Sequence, residues 1–107
     1  MATARISIPA TAASGVPFEV KTLITHPMES GLRRDSLGQA IPQNIITRFE
    51  CLARGETVFA ADLHTGIAAN PFLTFFVSIE EDTRFTFRWT GDRSFVAEEV
   101  RDVVLAT

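Results

Sequence analysis

Alternation of apolar and polar side chains is the feature that most limits how this chain can fold. From Val16 to Ile24 the even positions read Val, Phe, Val, Thr and Ile, with Glu19 and Lys21 between them. Successive side chains of a β-strand point to opposite faces, so this spacing predicts a half-buried strand. The odd positions of segments 45–53 and 85–89 are apolar in the same way. The chain therefore reads as a series of short strands.

Turn and phase signals divide these strands from one another. The pair Arg54-Gly55 predicts a tight hairpin between segment 45–53 and a return strand through Phe59, because glycine readily adopts a positive φ. Segment 94–106 is rich in β-branched residues, but its alternation changes phase around Glu98-Glu99. This phase change indicates a β-bulge or an edge strand.

Length and composition fit one small globular domain. The chain has 107 residues, of which 46% are hydrophobic and 21% charged. We therefore expect a single all-β domain over residues 1–107, an antiparallel immunoglobulin-like β-sandwich of about seven strands. The net charge of −3 gives no electrostatic reason to expect nucleic acid. No apolar run is long enough to span a bilayer, and no signal-peptide pattern is visible, so composition alone predicts a cytoplasmic protein.

Residues suited to catalysis are few. Cys51 lies mid-strand on the face that carries Phe49, where a cysteine usually packs as a small hydrophobic side chain. There is no nucleophile elbow and no glycine-rich phosphate loop, so no cofactor is expected. His26 and His64 could share a metal only if the fold brings their loops to one end. A binding function is favoured over catalysis. The alternative is a small metal- or redox-binding domain that uses His26 and His64, with Cys51 as a third candidate ligand.

Three features predict a binding protein, and one of them is the NPF motif at 70–72 with Phe75 and Phe76 just beyond it. The connection from His26 to Gln43 is long for a compact domain, and loops held out by a rigid sandwich often recognise partners. Segment 72–79 is apolar at nearly every position, which predicts a strand covered on both faces, by the core and by something else. Surplus apolar surface of this kind is typical of a protein interface, although a well-filled core would also explain it.

The order and spacing of several blocks carry a family resemblance. KTLITHPMESGLRRDSLGQAIPQNIITRFEC (21–51), FAADLHTGIAANPFLTFFV (59–77) and FTFRW (85–89) resemble the SoxZ-type subunit of the bacterial thiosulfate-oxidising system. The HPMESG and IAANPF blocks make the likeness specific, and it extends over essentially the whole chain.

The resemblance implies a subunit that performs no catalysis itself. Chains of this family pair with a second sandwich subunit, the SoxY-type chain, which carries sulfur intermediates covalently on a cysteine of a flexible arm. Other enzymes of the pathway would touch the complex transiently. The resemblance also implies a periplasmic location, reached by export with the signal-bearing partner, which reverses the cytoplasmic expectation. An intersubunit disulfide through Cys51 is one possibility in that compartment, and self-association is another when the partner is absent.

The loop supplies four of the residues that we expect to bind the partner. We expect His26 and Met28 to form an adaptable, partly apolar loop surface. Arg33 and Arg34 would meet acidic groups of the partner, or the thiosulfonate carried on its arm.

The apolar segment supplies the other two expected partner-binding residues. Phe72 and Phe76 would serve as aromatic anchors.

Overall fold

Eight strands in two sheets make up the fold. The computed structural model describes residues 3–106, and within them no helix is long and apolar enough to cross a membrane. In chain order the strands are β1 (Ala4–Ser7), β2 (Thr11–Ala12), β3 (Phe18–Ile24), β4 (Ile46–Ala53), β5 (Glu56–Asp62), β6 (Phe72–Val77), β7 (Thr83–Gly91) and β8 (Val96–Leu105). The small sheet has the order β1-β3-β6 and the large sheet the order β2-β8-β7-β4-β5. The pairings are antiparallel except for the parallel contact of β2 with β8. The predicted all-β, immunoglobulin-like sandwich is confirmed.

The alternating side chains fill the space between the sheets. In β3 the exposed and buried positions alternate from Phe18 to Thr22 as the sequence predicts. Phe49 of β4 is fully buried at the centre of an aromatic cluster. Four other ring centroids lie 5.2–6.5 Å from the ring centroid of Phe49, namely those of Phe59, Phe75, Phe87 and Trp89. Truncating a buried phenylalanine of this kind to alanine costs about 3–5 kcal/mol, so this cluster dominates the stability of the sandwich.

A β-bulge near the start of β4 changes the predicted pattern there. The sequence pattern assigned every odd position of 45–53 to the buried face. Ile46 is instead fully buried and Thr47 is exposed, because the register with β7 shifts between Ile46 and Arg48. Gly91 allows this approach, since a Cβ at that position would lie only 2.3 Å from the carbonyl oxygen of Ile45. The alternation resumes at position 49.

The bulge predicted in β8 is absent, whereas the edge alternative fits the structure. β8 pairs with β7 in one continuous register, and on its other side it meets only the two residues of β2. Glu99 and Arg101 point toward the inner face and form an ion pair of 3.1 Å, while Val100 is 46% exposed outside. Inward-facing charges discourage a second sheet from pairing with an edge strand. The inverted polarity of β8 therefore protects a sheet edge, and in the sequence it produces the same phase change as a bulge.

One end of the sandwich gathers three connecting segments. The Leu63 amide donates a hydrogen bond to the Thr47 carbonyl at 2.8 Å, which fixes the β5–β6 connection beside the start of β4. The Asp92 amide donates a hydrogen bond to the Ile45 carbonyl at 2.9 Å, which fixes the β7–β8 turn beside the same strand. The long β3–β4 connection leaves from this end too. We call it the arm end.

Candidate functional site

His26 holds the base of the long β3–β4 connection. Its backbone amide donates to Asn70 Oδ1 at 2.9 Å, and its carbonyl accepts the Asn70 amide at 2.8 Å. Its Nδ1 accepts the Met28 amide at 2.9 Å, and its ring packs edge-on against Phe95 with centroids 5.0 Å apart. Burial lowers the pKa of the imidazole, opposed in part by the charge of Asp92. The side chain is therefore neutral at pH 7 and ties three segments together.

Met28 is the second buried residue of this base. It adopts a φ of 50°, and its sulfur accepts the Ile46 amide at 3.2 Å. We expected His26 and Met28 to present a loop surface, but they are only 6% and 5% exposed. That expectation is wrong, because backbone donors from the loop itself and from β4 draw both side chains inward. A contribution of either residue to partner binding stays a prediction, and it would act through the shape of the loop.

The rest of the connection is a hydrogen-bonded arm rather than a structureless loop. Isolated bridges pair Glu29 with Asn44 and Arg34 with Ala40, so residues 29–44 fold back on themselves. The turn at the tip is fixed by Asp35, whose carboxylate accepts two backbone amides at 2.8 and 3.0 Å. We call residues 29–44 the arm.

Exposed side chains cover the arm. Leu32 and Leu37 are 87% and 81% exposed. The guanidinium of Arg33 forms a two-pronged pair with Glu29, which lowers the pKa of that carboxyl through the hydrogen bond. Arg34 donates to the Gly38 carbonyl at 2.9 Å. The arm therefore offers both arginines and two leucines to solvent, and the predicted partner contacts of Arg33 and Arg34 are sterically open.

Phe72 and Phe76 lie on the outer face of the small sheet. They are 57% and 64% exposed, whereas Phe75, which faces inward between them, is 5% exposed. Among residues 3–106 nothing covers the outer face of β6, so the second cover that the sequence predicts for this strand stays a prediction. The register places Phe76 opposite Glu19 and Phe72 opposite Leu23 of β3.

The strand that carries these rings is at the edge of its sheet. Among the described residues β6 pairs with β3 alone, so half of its backbone groups point away from the sheet. The rings, Leu23 and this open edge together form what we call the aromatic face. Such a surface suits a protein partner, because it offers both apolar area and a strand edge.

Cys51 is sealed inside the large sheet. It is fully buried between Phe59 of β5 and Phe87 of β7. Burial raises the pKa of its thiol to about 12, so the thiolate is not formed at neutral pH. The prediction that Cys51 packs as a core residue is confirmed, and its burial contradicts the possibility of an intersubunit disulfide in this conformation.

The two histidines come to the arm end, but they do not form a metal centre with Cys51. His64 is exposed on the β5–β6 connection. Cys51 lies five residues further along β4 than Ile46, which places it roughly 16 Å from Ile46 at ~3.3 Å per residue. Within residues 3–106 no three side chains of the His, Cys, Asp and Glu types come together in a group that could hold a metal ion. The ligand set of the alternative function is therefore not assembled.

The arm end also holds residues that were not among the six predicted partner-binding residues. Asn44, Asn70 and Phe95 line a cavity of about 590 Å³ together with His26. The signal for Asn70 was the Asn-Pro pair at 70–71, a common turn dipeptide, and its φ is indeed 55°. Phe95 and Asn44 gave no sequence signal, because their positions depend on contacts between distant segments.

A comparison with protein-family models assigns the chain to a family. The family model described as sulphur oxidation protein SoxZ matches residues 6–101. The chain belongs to the SoxZ family. The matched range includes β3 through β7, the whole arm and the aromatic face. No curated protein matches the SoxZ-family chain at a significant level.

Solved structures show how widely the fold of the SoxZ-family chain occurs. A superoxide reductase (neelaredoxin) from Ignicoccus hospitalis is similar, with 14% identity, a TM-score of 0.72, and coverage of 97% of this chain and 80% of that one. A variant of that reductase with one glutamate replaced by alanine gives 16% identity and a TM-score of 0.76 over the same shares. The sulfur carrier protein SoxY from Chlorobium limicola f thiosulfatophilum gives 13% identity and a TM-score of 0.67, covering 97% and 79%. At these identities the likeness is one of fold alone.

Proposed function

We propose that this chain is the non-catalytic subunit of a SoxYZ-type heterodimer. Its SoxY-type partner would carry sulfur intermediates covalently on a cysteine during thiosulfate oxidation. Membership of the SoxZ family supports a role in sulfur oxidation. The single observation that carries the partner-binding part is the aromatic face, with Phe72 and Phe76 exposed on an open edge strand.

The state of the thiol supports a division of labour between two chains. A sulfur carrier needs an exposed cysteine whose thiolate can attack or be attacked. Cys51 is the only cysteine in the sequence, it is fully buried, and its pKa is raised to about 12. The reactive sulfur of the complex would therefore lie on the partner.

The area of the aromatic face is appropriate for the centre of an interface. A phenylalanine side chain buries ~200 Å² when fully covered, so exposed fractions of 57% and 64% leave ~240 Å² of ring surface. A standard interface covers ~800 Å² per partner, and a few aromatic anchors provide most of its affinity. The two rings would be those anchors, and surrounding polar groups such as Glu19 and Lys21 would form the rim.

The remaining parts of the proposal concern the surroundings of the heterodimer. Arg33 and Arg34 on the arm would meet acidic groups of the partner or its sulfur adduct. The complex would reside in the periplasm and would meet sulfur-oxidising enzymes transiently. Without its partner the chain would self-associate through the aromatic face, because the Glu19–Lys21 pair beside it is self-complementary across a two-fold axis.

A binding experiment tests the proposal. The chain is mixed with a purified SoxY-type protein, and the mass of the product is measured by sedimentation velocity. We expect a one-to-one complex, and its formation should dissociate any homodimer of the chain. The chain alone should consume no thiosulfate in the presence of an electron acceptor. Two independently sedimenting species at micromolar concentrations, or turnover by the isolated chain, would contradict the proposal.

A further inference from the structure

The cavity at the arm end is built from three segments that are far apart in sequence. Its volume is about 590 Å³. Its walls come from the start of the β3–β4 connection, the end of the β5–β6 connection and the β7–β8 turn. The lining residues are Thr25, His26, Pro27, Asn44, Ala69, Asn70 and Phe95. Apolar walls with a few polar groups are typical of a small-ligand site.

His26 lines this cavity, and its imidazole carries a hydrogen-bond donor. Because Nδ1 accepts the Met28 amide at 2.9 Å, the proton of the neutral ring resides on Nε2. Among the described residues Nε2 has no protein partner, and it is not a buried atom, because the one buried side-chain nitrogen or oxygen there without a hydrogen-bond partner is Trp89 Nε1. The Nε2–H group is therefore available to a ligand.

The amide of Asn70 provides a second donor. Its Oδ1 is occupied by the backbone amide of His26 at 2.9 Å, so its Nδ2 hydrogens point away from that contact. Asn44 also lines the cavity, and its backbone is already paired in both directions with Glu29. The polar capacity that remains for a ligand is thus mainly that of neutral donors.

The neutral donors of the cavity, rather than the charges around it, favour a ligand that accepts hydrogen bonds through oxygen atoms. No carboxylate is among its lining residues in the described chain. Asp92 lies close enough for its charge to oppose the lowering of the His26 pKa, and its Oδ2 accepts Gln43 Nε2 at 3.0 Å and the Ile45 amide at 3.1 Å. An adjoining cavity, which shares Pro27 and Asn44, includes both Arg93 and Glu29, so its charges balance. Converging neutral donors in a partly apolar pocket stabilise oxyanions, as in the oxyanion holes of enzymes.

The backbone at this end is held in uncommon conformations. Positive φ values of 50–59° occur in non-glycine residues of all three segments, namely Met28, Asn70, Arg93 and Ser94. Such conformations cost about 1–3 kcal/mol each and concentrate at ligand sites. The cavity also adjoins the aromatic face, since Asn70 and Phe72 are separated by one residue, about 7 Å of extended chain.

We propose that this cavity binds a sulfonate group, the tetrahedral sulfur oxyanion at the end of an adduct that the docked partner presents. Nε2–H of His26 and the Nδ2 hydrogens of Asn70 donate to the sulfonate oxygens, and Pro27, Ala69 and Phe95 surround the rest. No bond is formed or broken by this chain. The choice of a sulfur oxyanion rests on the proposed function, whereas the donor set rests on the geometry of the cavity.

Methanesulfonate is the probe for this site. A ¹⁵N-labelled chain is titrated with it, and the imidazole signals of His26 and the side-chain amide signals of Asn70 are followed by NMR. We expect saturable shifts with a dissociation constant in the millimolar range. Asn70→Asp keeps the oxygen that anchors His26 but replaces the donor with a charge, so it should weaken binding at least ~10-fold. Asn44→Asp places a charge in the same cavity without removing a side-chain hydrogen bond and should also weaken it.

Gln39→Glu is the matched control, because it adds the same charge on the exposed arm, away from the cavity, and should leave the dissociation constant unchanged. Absence of saturable shifts in the wild-type chain would overturn the proposal. So would unchanged affinity in both cavity variants, or equal affinity for N-methylacetamide, which would indicate a site for peptide carbonyls. Complex formation with the SoxY-type partner is measured separately, so failure of this site leaves the heterodimer proposal intact.

Discussion

Replacing Phe76 by threonine isolates the contribution of the aromatic face. The side chain is 64% exposed, which leaves ~130 Å² of its ~200 Å² for a partner to cover. At ~25 cal/mol per Å² this area corresponds to ~3 kcal/mol, and threonine retains part of the contact. We therefore expect Phe76→Thr to weaken heterodimer formation by about 2 kcal/mol, which is roughly 30-fold in the dissociation constant.

The free chain should tolerate this change. Threonine suits a strand, and an exposed position away from special contacts alters the free energy of unfolding by only ~0.5 kcal/mol. Isothermal titration calorimetry with the SoxY-type partner gives the affinity, and urea unfolding gives the stability. Val100→Thr is the control, because Val100 is 46% exposed on the outer face of the opposite sheet. Wild-type affinity in folded Phe76→Thr, or an equal loss in Val100→Thr, would refute the assignment of the face.

Three further predictions concern the core and the base of the arm. Burial lowers the pKa of His26 below 6.5, so the stability contributed by its neutral form is complete above that pH and is lost as pH falls through the folded-state pKa. The urea midpoint should therefore fall less between about pH 7.5 and 5.5 in His26→Gln than in the wild type or in His64→Gln. Native Cys51, with a pKa of about 12, should resist a disulfide reagent at pH 8 and react fully in guanidinium, whereas rapid native labelling would contradict its burial. Gly91→Ala would bring a Cβ within 2.3 Å of the Ile45 carbonyl oxygen, so it should lower the free energy of unfolding by about 1–3 kcal/mol or more, and an unchanged denaturation curve would show that the bulge can relax.

Local pattern was enough to predict most of the sandwich. The hairpin at Arg54-Gly55 has φ values of 55° and 85°, as a turn with positive φ at both central residues requires. Burial of the aromatic residues in β4 and β7 follows directly from their period of two. These features depend on neighbours in sequence, and sequence reasoning therefore captures them.

Features that depend on distant contacts could not be predicted. His26 and Met28 look like polar and flexible loop residues, yet backbone donors and the ring of Phe95 bury them. The polarity of β8 depends on its place at the sheet edge, where Glu99 can face inward because Arg101 neutralises it. The sequence identified Phe72 and Phe76 as surplus apolar surface, but only the structure shows that their own chain leaves both exposed.

Hydrogen exchange of the chain with and without its SoxY-type partner tests the central claim most directly. The account predicts that amides in β6, residues 72–77, become protected in the complex. Residues 98–102 of β8, on the opposite sheet, should exchange at the same rate in both states. Complex formation that leaves β6 unprotected, or protection confined to β8, would contradict the assignment of the aromatic face as the docking surface.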